Sequence, residues 1–131
     1  FRKSLIKPKR IFIFTTSLPP VNVAWTRFVL NHMPDFYDLR IKLSTTADKL
    51  RQVLADKGFE TRGGSHIVPW VCGSNENSIE MADLLRDNGF FALPVRYPTV
   101  PKNESRIRFS LNAAIPDEDY GCLFEFIDCL E

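Results

Sequence analysis

An α+β fold is what this sequence predicts: a small antiparallel sheet with covering helices, ordered β-α-β-β-α from about residue 66. Three observations predict it. Residues 106–112 (RIRFSLN) alternate apolar and polar positions, the period of a half-buried strand. Residues 76–88 place Ile79, Met81, Ala82 and Leu85 at helical spacing, with Gly89 as the stop. Residues 66–72 (HIVPWVC) and 90–96 flank that helix with strand-forming residues.

The elements before them are a strand and two helices. Residues 10–16 (RIFIFTT) read as a short buried strand, stopped by Ser17-Leu18-Pro19-Pro20. Pro19 and Pro20 can open a helix, where a missing N–H costs nothing. Val21, Val23, Ala24, Trp25, Phe28 and Val29 predict that this helix is buried over much of its surface, and Met33-Pro34 ends it. A second helix, about 35–57, carries a stripe of Leu39, Leu43, Leu50, Val53 and Leu54, with Gly58 at its cap.

Within the β-α-β-β-α unit, Pro69 marks its strand as an edge or a bulge. Residues 97–105 form a loop stiffened by Pro98 and Pro101. Pro116 opens a last helix with Asp117, Glu118 and Asp119 at the favourable end of its dipole. Leu123, Phe126, Ile127 and Leu130 are its buried stripe. The predicted boundary is near residues 58–65: 1–58 as an arm of a larger domain, 59–131 as a small α+β domain.

The bulk numbers exclude several classes. At 131 residues the chain buries roughly two-thirds of its extended surface, enough for a core without metal or disulfide. A net charge of +1 gives no reason to expect nucleic acid or a membrane surface as partner. The short basic run Arg2, Lys3, Lys7, Lys9, Arg10 reads as solvated surface. No apolar run is long enough to span a bilayer. Cys72, Cys122 and Cys129 form no CxxC and leave one unpaired, which fits a reducing cytoplasm. Cys122 and Cys129 lie seven apart and read as core packing of the last helix. The chain begins with Phe and not Met, so a truncated or processed product is one reading to consider.

Few residues carry chemistry. Arg106 and Arg108 share one face of a predicted strand behind the double-Pro loop, with Arg96 just before that loop. They read either as a wet sheet face or as an anion site, since a guanidinium fork matches a carboxylate. Thr15-Thr16, ahead of a Pro-opened helix, can contact a phosphate or simply fill the strand. His32 and His66 read as structural, with no converging ligands for a metal. Trp25 and Trp70 read as core or interface. No P-loop, GxGxxG, HExxH or nucleophile elbow is present.

Three stretches together resemble the α-oxoamine synthase family. Residues 12–20 (FIFTTSLPP) look like its strand and turn downstream of the cofactor lysine. Residues 65–69 (SHIVP) resemble the first strand of its small domain. Residues 96–101 (RYPTVP), followed by Arg106-Ile107-Arg108, are similar to its most specific signature, an Arg-Pro-Pro-Thr-Val-Pro loop leading into Arg-Leu-Arg. The similarity covers nearly the whole chain and leans toward the biotin-pathway branch, 8-amino-7-oxononanoate synthase. The 5-aminolevulinate synthase and 2-amino-3-ketobutyrate CoA ligase branches are alternatives.

The resemblance implies the C-terminal small domain of a fold-type-I pyridoxal-phosphate enzyme that joins an amino acid to an acyl-CoA, as a cytoplasmic homodimer with shared sites. It gives Arg108 the substrate carboxylate, Arg96 an auxiliary contact, and Thr99 a place in the substrate pocket. It gives Thr15 and Thr16 the cofactor phosphate of the neighbouring subunit. Two positions depart from the family. Tyr97 stands where it usually has Pro, and Asn103, which tolerates a left-handed backbone, where it has Gly. The family's cofactor lysine lies upstream of the matched region, and Lys3, Lys7, Lys9, Lys42, Lys49, Lys57 and Lys102 lack its surroundings. The expectation is that this chain alone neither holds the cofactor covalently nor turns over. A reading from another class is a non-catalytic module that binds a carboxylate metabolite.

Overall fold

In the computed structural model, residues 18–130 are described, in two compact units that divide after Phe36. The strand expected at 10–16, with Thr15 and Thr16, lies outside the described residues, as does the basic run at the start.

The first unit contributes helix α1 (Pro20–His32) and a 3-10 turn (Met33–Phe36). Pro20 occupies the first turn, as its missing N–H predicts. The expected burial of α1 is not found. None of its residues is buried, and Trp25 is 65% exposed. Apolarity marks a face that needs cover but does not itself supply the second layer that would give it. Trp25 and Phe28 stack on each other at 5.7 Å, and His32 Nδ1 lies 2.8 Å from the Phe28 carbonyl.

The second unit runs α2 (Tyr37–Asp56), β1 (Ile67–Gly73), α3 (Asn75–Asp87), β2 (Leu93–Val95), β3 (Ser105–Ser110) and α4 (Asp117–Asp128). The β-α-β-β-α order and the antiparallel sheet are as expected. The strand order is β1-β3-β2, so β3 is central and Pro69 lies on an outer strand. Helix α2, assigned by chain order to a larger domain, packs on β1 and α4.

One core holds this unit together. Ala47, Leu50 and Leu54 of α2 meet Val68 and Trp70 of β1, Ile107 and Phe109 of β3, Ala82 and Leu85 of α3, and Leu123 and Ile127 of α4. In α3 the buried line is Ser78, Ala82 and Leu85, while Ile79 faces solvent. Cys122 and Cys129 are exposed, contrary to the core reading. The buried stripe of α4 is Tyr120, Leu123, Phe124 and Ile127, and a spacing of seven puts both thiols on the opposite face.

Two helix ends explain where strands cannot start. After α3, Gly89 takes φ +88°, and the Phe90 N–H returns to the Leu85 carbonyl at 2.8 Å. That closure consumes the backbone of Phe90, so the strand expected at 90–96 is confined to Leu93–Val95. Gly58 closes α2 in the same way, with Phe59 N–H on the Leu54 carbonyl at 2.9 Å. Among the described residues, no helix is long and apolar enough to cross a membrane.

Candidate functional site

Alternation along β3 gives the sheet two different faces. Ile107 and Phe109 point into the core, while Arg106, Arg108 and Ser110 point the other way. Register then fixes their neighbours. Arg108 is flanked by Pro69 of β1 and Leu93 of β2; Arg106 is flanked by Val71 and Val95; Ser110 pairs with Ile67. The outer face is therefore an apolar surface of Ile67, Pro69, Val71, Leu93 and Val95, interrupted by two arginines.

The two arginines are not equivalent. Arg106 is mostly buried, and its Nε donates to the Glu104 carbonyl at 2.9 Å. Its Nη2 meets Glu104 Oε2, also at 2.9 Å. Arg62 Nη1 reaches that same oxygen at 2.9 Å and Glu60 Oε1 through Nε at 2.7 Å. Hydrogen bonding to Glu60, then to Glu104, raises the Arg62 guanidinium further above its ordinary value. Arg108 is exposed, and among the described residues its side chain has neither an acidic partner nor a hydrogen bond. A guanidinium with open donors among apolar neighbours can take a carboxylate through two parallel N–H···O bonds.

The loop following β2 carries Arg96 and Thr99, both exposed. Thr99 N–H closes a turn on the Arg96 carbonyl at 2.9 Å. Asn103 has φ +63°, so the left-handed turn expected there is present without glycine. Because β2 pairs with β3 through Val95 and Arg106, Arg96 follows directly on that register pair. Arg108 lies on the other side of that pair, opposite Leu93 and three strand positions from Arg96, roughly 10 Å. The described candidates thus belong to one strand pair and its connecting loop. A groove lined by Phe90, Phe91, Leu111, Tyr120 and Leu123 includes none of them.

Two participants escaped the sequence reading. Glu104 could have been found, since an acid just ahead of a strand can pair with an arginine two residues on. Asn75, whose carboxamide bonds the loop, carries no local signal. Each described lysine is already engaged: Lys42 with Asp117, Lys57 with the Leu130 carbonyl, Lys49 over Phe124 and, within the loop itself, Lys102 over Tyr97.

Comparison with known proteins is consistent across sequence and structure. The profile of the family described as aminotransferase class I and II matches residues 1–127. An 8-amino-7-oxononanoate synthase from Chlorobaculum parvum is 43% identical over 123 residues, 94% of this chain and 31% of that protein. One from Haemophilus ducreyi is 38% identical over 130 residues, 98% and 33% of the two chains. The chain spans about a third of the length of these curated relatives. Among solved structures, the 8-amino-7-oxononanoate synthase of Francisella tularensis superposes with a TM-score of 0.71 at 24% identity, covering 97% of this chain and 37% of that one. Sphingomonas wittichii serine palmitoyltransferase gives 0.73 at 23%, covering 97% and 33%. At these identities the superpositions speak for the fold.

Proposed function

The chain belongs to the aminotransferase class I and II family, and from that premise we propose that it is the C-terminal part of a pyridoxal-phosphate-dependent acyl-CoA:amino-acid C-acyltransferase of the 8-amino-7-oxononanoate synthase type. The observation that carries this reading is Arg108: a guanidinium with open donors, on an apolar sheet face, beside the RYPTVP loop. Relatives of that name at about 40% identity support it.

In this reading Arg108 binds and orients the carboxylate of an amino acid held at the cofactor. Pro69 and Leu93 flank the pair with apolar surface, and further cover over this face would exclude water and strengthen it. Arg96 is an auxiliary carboxylate contact, and Thr99 lines the substrate pocket. Thr15 and Thr16 hold the cofactor phosphate of the neighbouring subunit in a homodimer. Residues 1–58 are the arm that would connect to a larger domain, with α2 of that arm packed on the small one, 59–131. The donor set fits such a group from the substrate side, because Arg108 offers a fork to an anion and no competing acid faces it among the described residues. When bound, the cofactor supplies the electron sink for carbon–carbon bond formation. Three free thiols among the described residues fit a cytoplasmic location.

The test uses the full-length protein with a panel of amino acids and acyl-CoA thioesters, following release of free CoA thiol. Release is expected only when both substrates are present, with 8-amino-7-oxononanoate among the products. Binding of amino acids without CoA release from any pair would favour the carboxylate-binding module instead.

A further inference from the structure

A single oxygen atom joins the two ends of the loop that carries Arg96 and Thr99. Asn75 Oδ1 accepts the Tyr97 backbone N–H at 3.2 Å and the Ser105 hydroxyl at 2.7 Å. Tyr97 lies just past the end of β2, and Ser105 is the first residue of β3. Ser105 is 1% exposed, so its hydroxyl needs an acceptor inside the protein, and Asn75 is that acceptor.

Asn75 is itself well fixed. It is the first residue of α3, whose N-cap Ser74 accepts the Asn77 N–H at 3.0 Å. The Ser78 hydroxyl donates to the Asn75 carbonyl at 2.8 Å. Helix α3 packs on all three strands, so the carboxamide inherits the position of the sheet. The loop bonds largely to itself in between: Thr99 and Val100 to the Arg96 carbonyl, Glu104 to the Pro101 carbonyl. A loop of this kind is free to pivot unless its ends are tied, and the residues beyond each tie are Arg96 on one side and Arg106 to Arg108 on the other.

We propose that Asn75 is a positioning residue: by clamping Tyr97 to Ser105 it sets where Arg96 and Thr99 stand relative to Arg108. The assignment rests on the functional reading above, which makes those three residues the substrate side of the site. Asn75 touches no substrate and acts only through the loop. Only its acceptor oxygen matters, so an aspartate, which has an oxygen at the same place, substitutes for it. Alanine does not.

The experiment compares Asn75→Ala and Asn75→Asp in the full-length protein by two readouts. Without substrates, hydrogen exchange at the Tyr97 amide is expected to be faster in Asn75→Ala and close to wild type in Asn75→Asp. In steady-state kinetics, Asn75→Ala is expected to raise KM for the amino acid about tenfold and leave KM for the acyl-CoA unchanged, with Asn75→Asp restoring it. A merely structural defect would lower the active fraction and leave both KM values alone. Unchanged Tyr97 exchange in Asn75→Ala overturns the clamp. Faster exchange with an unchanged amino-acid KM overturns the positioning role. If Asn75→Ala does not fold, Ser105→Ala removes one donor and is expected to raise the same KM about threefold; no change there overturns the proposal. A wild-type protein that releases no CoA with any substrate pair refutes the functional reading and the substrate role together, while the exchange data still decide the clamp.

Discussion

Glu104 Oε2 stands 2.9 Å from Arg106 Nη2, and the Glu104 backbone carbonyl takes Arg106 Nε at the same distance. Arg106 therefore has its charge matched within its own strand end, while the Arg108 fork has no such partner among the described residues. Two arginines that look alike in the sequence have different work.

The pairing predicts an asymmetry between them. In the full-length protein Arg108→Ala should weaken amino-acid binding by roughly 2–5 kcal/mol, the loss for one partner of a charge pair that the rest of the protein and the substrate bury. Arg106→Ala should cost no more than about 1 kcal/mol, because its partner Glu104 keeps Arg62. Titration of each variant with the amino acid checks this, and equal losses would contradict the sorting.

Core packing predicts where stability is most sensitive. Leu54 on α2 is fully buried against the sheet. Leu54→Ala should destabilise by about 2–5 kcal/mol, read from urea unfolding. Leu39 on the same helix is 46% exposed, and Leu39→Ala should shift the midpoint little.

Two glycines should respond in opposite directions. Gly89 ends α3 at φ +88°, a conformation that costs a side chain about 1–2 kcal/mol. Gly121 lies inside α4, and a Cβ there meets nothing within 4 Å. Gly89→Ala should lower thermal stability, and Gly121→Ala should raise it by about 0.5–1 kcal/mol.

Burial pushes the Cys72 thiol above its ordinary value of 9.0. The unfolded chain then loses that proton first as pH rises, so the native state binds more protons and is destabilised. Below about pH 9 Cys72 adds no pH dependence, and above it stability should fall. Urea midpoints at two alkaline pH values, wild type against Cys72→Ala, test this: the variant should show the shallower fall. Exposed Cys122 and Cys129 should react with a thiol reagent before Cys72 does.

Much of the fold was legible because its signals are local. The period-2 pattern of residues 106–112 shows a strand with one dry face whatever it pairs with, and Gly58 and Gly89 mark helix ends by backbone freedom alone. That Arg96, Thr99 and Arg108 share one loop and strand pair was legible because a short motif ties them together in the chain. Exposure of α1 was not legible: apolar side chains announce the need for a partner and not its presence. Cys122 and Cys129 were misread because spacing places two residues on one face without saying which. Asn75 was hidden for a different reason. An Asn after Ser at a helix start reads as capping chemistry, and its actual partners are residues 97 and 105, which no nearby pattern links to it.

The ring of Ile67, Pro69, Val71, Leu93 and Val95 around Arg108 has an energetic consequence. Bare and wet, the cation there costs nothing. Any surface laid over it strips its hydration, which is unfavourable until an anion takes the place of the lost water. Occupancy and coverage of such a patch would be thermodynamically linked: a bound anion would be the counter-charge that makes covering it favourable, and an empty patch would resist being sealed.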